Sequence, residues 1–327
     1  MFSFRSLVFI VLVSCLFSSY SEVVEFESAN PFSLKDIITN LDNQDKQIVT
    51  GVLTIPENVK GNKIPLVIGV AGSKGWGSHH FEYLKMYQDA GIATFQLQSF
   101  KSRGVTSTVG TQNTVTIPMV ILDSYRALEK LSEYSMIDIE NVAITGWSLG
   151  GGVSLFSGWK PLMDAINSEY TFAAHLPMYP PCFAEPSILD FTDSPIHIQI
   201  GELDEWTPAD ACLDLVNLMQ DNGVNINITV YEGAHHSFDR DSDIAIAENG
   251  YSFKDCRFKM NDDGAILMNY FGIPMTNWFT QMIGFGMCAS RNPKYGGHPE
   301  SREKSFKFSI DFMMDHLFDN LDGNDEW

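Results

Sequence analysis

Apolar runs of strand length alternate along this chain with stretches of helical periodicity, and that order predicts an α/β protein with a mostly parallel central sheet flanked by helices. Composition agrees: 44% hydrophobic and 12% aromatic residues in a chain of 327 can bury a sizeable core. No internal repeat or low-complexity linker divides the sequence, so one domain is expected over 22–327.

The N-terminus (MFSFRSLVFIVLVSCLFSSYSEV) carries Arg5, an apolar run over 7–17, and small residues Ser19 and Ser21 spaced as at a signal-peptidase site. It predicts a secretory signal peptide over 1–21 and a secreted or periplasmic protein. The run is little more than half of the ~20 apolar residues that a membrane span needs. No other segment comes closer, so no stable membrane span is expected. Leu12-Val13-Ser14-Cys15 resembles a lipobox and offers lipoprotein anchoring through Cys15 as the alternative. Against it, Leu16 and Phe17 continue the apolar run past the cysteine.

Strands are expected at 46–55 (KQIVTGVLTI), 64–70 (IPLVIGV) and 92–97 (IATFQL), with a Gly- and Ser-containing loop at 71–77 and a helix over 80–90. A polar loop follows at 98–112. Residues 116–134 set Ile121, Tyr125, Leu128 and Leu131 at helical spacing, a face that should pack on the sheet. A short strand at 142–144 runs into Gly146-Trp147-Ser148-Leu149-Gly150-Gly151, where a helix can begin. Further strands are expected at 171–176, 196–200 and 225–231. The helix over 208–221 opens on Pro208, whose missing N–H is not needed in a first turn. Over 239–300 the rhythm breaks into Gly, Asn, Asp and Met with two cysteines, which reads as an irregular, disulfide-stapled excursion over the same domain. A last helix, 304–318, carries Phe306, Ile310, Phe312, Met313 and Leu317.

If Cys15 leaves with the leader, Cys182, Cys212, Cys256 and Cys288 remain, an even number in an oxidising compartment. Three connectivities are open. Cys182 with Cys212 and Cys256 with Cys288 is favoured because each pair lies in one stretch of chain. No cysteine has C-x-x-C spacing and no histidine has ligand spacing, so neither a metal nor another cofactor is expected. The formal net charge of −20 and pI near 4.6 would repel a phosphate backbone, and no nucleic-acid partner is expected.

Gly146-x-Ser148-x-Gly150 fits the nucleophile elbow, in which a strand turns sharply into a helix and holds a serine in a strained conformation. The preceding NVAIT and the following small residues supply that strand and helix start. A serine hydroxyl needs a base to take its proton, and the base needs a carboxylate to hold its tautomer. In the α/β-hydrolase fold these follow in the order serine, acid, histidine. Asp204 lies just past the strand at 196–200, where such a loop places the acid, with Glu202 and Glu205 as rivals. His236 and His235 both lie past the strand at 225–231 and compete for the base. The oxyanion donors expected are the backbone amides of Leu149 and of Ser73, with Lys74 the neighbour of the second. Trp76, Trp147 and Trp206 are candidates to line an acyl or alcohol pocket, with plain packing the alternative.

These residues resemble the dienelactone hydrolase-like family of α/β-hydrolases. The matching stretches are Ser99-Phe100-Lys101-Ser102-Arg103-Gly104, Gly146-Trp147-Ser148-Leu149-Gly150-Gly151, Gly201-Glu202-Leu203-Asp204 and Gly233-Ala234-His235-His236-Ser237-Phe238. The family's G-A-x-H-x-F pattern puts the base on His236. Dienelactone hydrolases proper use a cysteine nucleophile, so Ser148 implies the serine-bearing relatives with broader ester chemistry. The resemblance also implies a substrate-carboxylate role for Arg103, with loop tethering as the alternative. Ala71-Gly72 stands where many relatives have His-Gly. The excursion at 239–300 exceeds the usual family core and could roof the site.

The expected function is a secreted serine hydrolase cleaving a small-molecule carboxylic ester or related acyl substrate through an acyl-enzyme. A small-peptide peptidase with the same triad and a non-catalytic secreted binding protein are the alternatives.

Overall fold

The structure, a computed structural model, describes residues 20–57 and 63–318. The leader reading falls on residues that, apart from Tyr20 and Ser21, lie outside the described ones, as does the lipidation alternative at Cys15.

The chain opens on β1 (Tyr20–Ala29), helix α1 (Leu34–Asn40), β2 (Lys46–Ile55) and β3 (Ile64–Val70). It continues through α2 (Ser78–Asp89), β4 (Ala93–Leu97), a four-residue α3 (Ser99–Ser102) and α4 (Ile117–Leu131). Next come β5 (Ile137–Trp147), α5 (Leu149–Phe156), α6 (Lys160–Ile166), β6 (Ala174–Met178), the short β7 (Ala184–Pro186), β8 (Ile196–Gly201), α7 (Ala209–Asp221) and β9 (Ile226–Tyr231). Eight of these strands form one sheet in the order β1-β2-β4-β3-β5-β6-β8-β9. The run from β4 to β9 is parallel, while β1 and β2 pair antiparallel with each other and β2 antiparallel with β4.

Burial explains the layout. Every residue of β3 is buried, as a central parallel strand covered on both faces requires. In β1 and β2 the burial alternates with period two, and Glu25 and Glu27 point outward on β1, which blunts an exposed edge. Helix α4 buries Ile121, Tyr125, Leu128 and Leu131, the face its spacing predicts. The last helix, α9 (Pro299–Phe318), begins at Pro299 rather than 304. Its Ser305 and Ser309 face the sheet side, one bonded to the Tyr83 hydroxyl at 2.8 Å and the other accepting from Gln199 at 2.9 Å. Small polar residues there hide the helical stripe that larger apolar ones would have made legible.

The excursion is more structured than its sequence suggests. It carries β10 (Ala245–Ile246), β11 (Tyr251–Ser252), β12 (Phe258–Met260), β13 (Ile266–Leu267), helix α8 (Trp278–Gly286), β14 (Ser290–Arg291) and β15 (Lys294–Tyr295). β12 adds in parallel to β7, β10 pairs with β15, and β11 pairs with β14. It also has a hydrophobic cluster of its own, built on Trp206, Tyr251, Phe253, Phe258, Met268 and Met275. Two disulfides join Cys182 to Cys212 and Cys256 to Cys288, the favoured pairing. The first ties the segment after β6 to α7, and the second closes the excursion.

Candidate active site

β5 ends at Trp147, and the chain turns at Ser148 into α5. Ser148 has φ 57° and ψ −112°, a left-handed conformation that costs on the order of 1–3 kcal/mol for a non-glycine residue. The turn is held from both sides. A Cβ on Gly146 would lie 2.1 Å from the Gly150 carbonyl oxygen, and one on Gly150 would lie 2.2 Å from that of Val70. Both positions of the motif are therefore fixed by backbone contact, and the Ser148 amide donates to the Met178 carbonyl at 2.9 Å.

The loops after β8 and β9 bring two more groups to the same carboxyl edge of the sheet, where open α/β sheets place their ligand sites. His236 Nε2 lies 3.0 Å from Ser148 Oγ, and its Nδ1 lies 2.7 Å from Asp204 Oδ2. All three residues are buried. Asp204 Oδ1 accepts the Trp206 and Thr207 amides at 2.9 and 2.8 Å. The Thr207 hydroxyl stands 3.1 Å from both Asp204 Oδ2 and His236 Nδ1 and bonds the Tyr179 carbonyl at 3.0 Å. Thr207 was not singled out from sequence. The signal was local: a carboxylate followed two and three residues on by free amides is an Asx-type turn.

The rivals point elsewhere. Glu202 accepts the Gly233 amide, Glu205 pairs with Lys254, and His235 Nδ1 bonds the Leu203 carbonyl at 3.0 Å. Tyr179 sets its ring edge against His236, centroids 4.8 Å apart, and donates its hydroxyl to the buried Asp239 at 3.0 Å. Burial pushes the Asp239 carboxyl up to about 6. His80 stacks on Trp147 at 4.3 Å, and burial, helped by neighbouring His79 and Arg240, holds its pKa well below the ordinary value. A neutral imidazole thus lies beside the histidine-serine pair.

The remaining predicted site residues fall into two groups. Ser73, Leu149 and Trp206 line the same cavity as Ser148. Leu149 occupies the first turn of α5, where amides have no partner within the helix. Ser73 is pinned by its carbonyl, which accepts the Thr108 amide at 2.9 Å, and by its hydroxyl bond to Gln112. Trp147 is buried beneath a smaller depression that also takes in Lys74, His236, Arg240 and Tyr295. Arg103 is not brought to the site. Its guanidinium makes a two-pronged ion pair with Asp123 at 2.6 and 3.0 Å and donates to Asn30, Ala29 and Ser99. With these donors committed, it ties β1 to the loop after β4 and lines neither cavity. Trp76 is likewise structural, donating to the Leu97 carbonyl and packing edge-on against Trp147.

The main cavity has a volume of about 140 Å³. Its walls come from Leu34, Ile117 and Phe156 on one side and from the excursion's Phe258, Met275 and Phe285 on the other. No Asp, Glu, Lys, Arg or His among the described residues lines it. Among the described residues no group of His, Cys, Asp and Glu is arranged to hold a metal ion, and no helix is long and apolar enough to cross a membrane.

Comparison with known proteins adds the lineage. The profile of the dienelactone hydrolase family matches residues 96–261, half of the chain, including Ser148, Asp204 and His236. The chain belongs to the dienelactone hydrolase family. Protein usf of Aquifex pyrophilus is 28% identical over 112 residues, 34% of this chain and 46% of that protein, so the chain spans less than half of this relative's length. Two solved structures share the fold across 91% of this chain and 99% of their own. They are m3DLH, with a TM-score of 0.56 at 13% identity, and the dienelactone hydrolase-like promiscuous phosphotriesterase P91 from metagenomic libraries, with 0.53 at 12%.

Proposed function

We propose that this family member is an exported serine esterase acting on uncharged carboxylic esters with an apolar acyl group. The observation that carries the reading is the chain of contacts from Ser148 Oγ through His236 to Asp204, opening onto a cavity walled by apolar side chains. His236 Nε2 takes the Ser148 proton as Oγ bonds to the carbonyl carbon, and Asp204 holds the Nδ1 proton in place and stabilises the imidazolium. The oxyanion forms against the amides of Leu149 and Ser73. Collapse breaks the bond to the alcohol, which leaves with the proton from His236. Water then repeats the sequence on the acyl-enzyme and frees Ser148.

The main cavity favours esters over peptides, since among the described residues it offers no carboxylate for a free amino terminus, and the cations Lys74 and Arg240 lie outside it, in the smaller depression that Ser148 also lines. Export is supported by the leader pattern and the two disulfides, which persist in oxidising compartments. Fluorophosphonate labelling and hydrolysis of p-nitrophenyl acetate and butyrate test the reading, with Ser148→Ala as control. A wild-type protein that neither labels nor turns over would overturn it.

A further inference from the structure

Residues 264–290 hold no Asp, Glu, Lys, Arg or His, although the chain is 19% charged and carries a net charge of −20. Composition alone would place about five charges in a stretch of that length. Uncharged segments of globular proteins normally earn their composition by burial, yet this one lies largely at the surface. Phe271 is 86% exposed and Trp278 58% exposed, and Tyr270, Ile273, Phe279 and Met282 are exposed as well.

The exposed residues occupy two adjoining pieces of structure. Tyr270 and Phe271 sit at the tip of a tight turn closed by the Met268 amide donating to the Ile273 carbonyl at 2.9 Å. Trp278, Phe279 and Met282 lie on the outer side of α8, where positions three and four apart share a face. The same short segment reaches inward. Ile266, Met275, Gln281 and Phe285 line the cavity beside Ser148, and Gln281 donates to the Gln112 carbonyl at 2.9 Å. One face of the segment is thus the cavity wall, and its other face is an aromatic patch without charge.

We propose that this patch seats the protein on an electrically neutral lipid–water interface, with the cavity mouth turned toward the ester-bearing phase. Aromatic and thioether side chains suit the boundary between headgroups and acyl chains. The overall negative charge disfavours anionic bilayers, so a zwitterionic or uncharged surface is the occupant that the charge distribution selects. A second copy of the chain fits less well, because it would bring two chains of net charge −20 together. The delivery of substrate rests on the esterase reading; the docking does not.

The test uses the full chain carrying Ser148→Ala, so that binding is read without turnover. Hydrogen exchange with and without vesicles of phosphatidylcholine should show added protection over 264–290. Protection confined to the leader, or none, overturns the proposal. Phe271→Ser with Trp278→Ser should weaken vesicle co-sedimentation by roughly tenfold or more, given the apolar area withdrawn from the lipid. Circular dichroism should be unchanged, since neither side chain lines the cavity or lies in the core. Undiminished binding by the double variant would overturn the proposal. So would light scattering that shows a dimer which the double variant dissociates. Loss of fluorophosphonate labelling in otherwise wild-type protein, with vesicle protection intact, would sink the esterase reading alone.

Discussion

Replacing Asp204 with asparagine is isosteric, and the structure dictates how the new amide must sit. Asp204 Oδ1 accepts two backbone amides, from Trp206 and Thr207, at 2.9 and 2.8 Å. Turning the asparagine NH2 toward them would set donors against donors, so the amide oxygen takes the Oδ1 place and the NH2 takes that of Oδ2. That NH2 then faces His236 Nδ1, which must accept rather than donate. The imidazole proton moves to Nε2, 3.0 Å from Ser148 Oγ, and no lone pair is left there to receive the serine proton. The expected loss is about 10³- to 10⁴-fold in kcat. The fold should hardly notice, because both backbone donors keep an acceptor, and unfolding free energy should change by less than about 1 kcal/mol. Asp204→Ala leaves the same two amides buried without a partner and should add roughly 2–5 kcal/mol of destabilisation to a comparable loss of rate. Steady-state hydrolysis of p-nitrophenyl butyrate and urea unfolding read the two effects separately. A loss below about tenfold in the asparagine variant, with Glu202→Gln or Glu205→Gln costing as much, would refute the assignment of the acid.

Three more outcomes follow from the same contacts. Lengthening the acyl group from acetate to butyrate adds two methylenes to an apolar cavity, at about 0.8 kcal/mol each, so kcat/KM should rise by about 15-fold; a flat series would mean that the acyl group does not enter the cavity. Arg103→Ala strands the buried Asp123 and should cost about 3–5 kcal/mol in urea unfolding while leaving the KM of the folded protein unchanged; a raised KM with intact stability would return Arg103 to substrate binding. Stability should also fall on acidification. Burial lowers His79 to about 2 and His175 and His197 to about 4, and holds His80 well below its ordinary value. Each of these binds its proton less readily folded than unfolded, so the stability it contributes is present above pH 6.5 and is lost as pH falls below it. Asp239, raised to about 6, acts the other way between about 4 and 6, but it is one group against four, so unfolding free energy should drop by at least about 3 kcal/mol from pH 7.5 to 5. A flat or rising profile would show that these imidazoles are not held neutral.

Sequence reading succeeded where one signal decided the local structure. β2 and β3 have the expected bounds because an alternating run and an unbroken apolar run leave little choice. β5 was read short because Asp138, Glu140 and Asn141 interrupt its apolar run, yet the strand spans Ile137–Trp147. β1 is not legible locally, because Tyr20 and Ser21 fall within the leader pattern and the rest of the strand adjoins it. Its alternation of Val24, Phe26 and Ser28 inward with charges outward becomes decisive only once β2 lies alongside, from Tyr20 opposite Ile55 to Ala29 opposite Lys46. His235 and His236 are equivalent in composition and differ only in which way the chain turns after β9, which the resemblance supplied and residue chemistry alone did not. The sequence offers the excursion as a roof and Trp206 as a pocket residue, but the shape of the cavity is not legible in it. That shape depends on β12 adding to β7, a pairing between distant parts of the chain that no local pattern announces.

The proposed chemistry and the proposed selectivity are therefore written in different parts of the chain, under different physical constraints. Proton transfer from serine to histidine works only within hydrogen-bond distance, so Ser148, Asp204 and His236 sit on strand ends of the sheet and inside the stretch that matches the family. An acyl cavity requires only apolar volume, which many sequences can supply, and 264–290 builds part of that wall beyond the matched stretch. Such freedom would be useless if the wall drifted from the serine. Two attachments prevent this. Cys256, inside the matched stretch, is bonded to Cys288 outside it. The Gly296 amide donates to the His236 carbonyl at 2.9 Å, and Tyr295 bridges to the same residue, so the excursion returns to the backbone of the proposed base itself. The cavity wall is thus tied to the backbone of one of the three residues whose spacing the proposed reaction cannot relax.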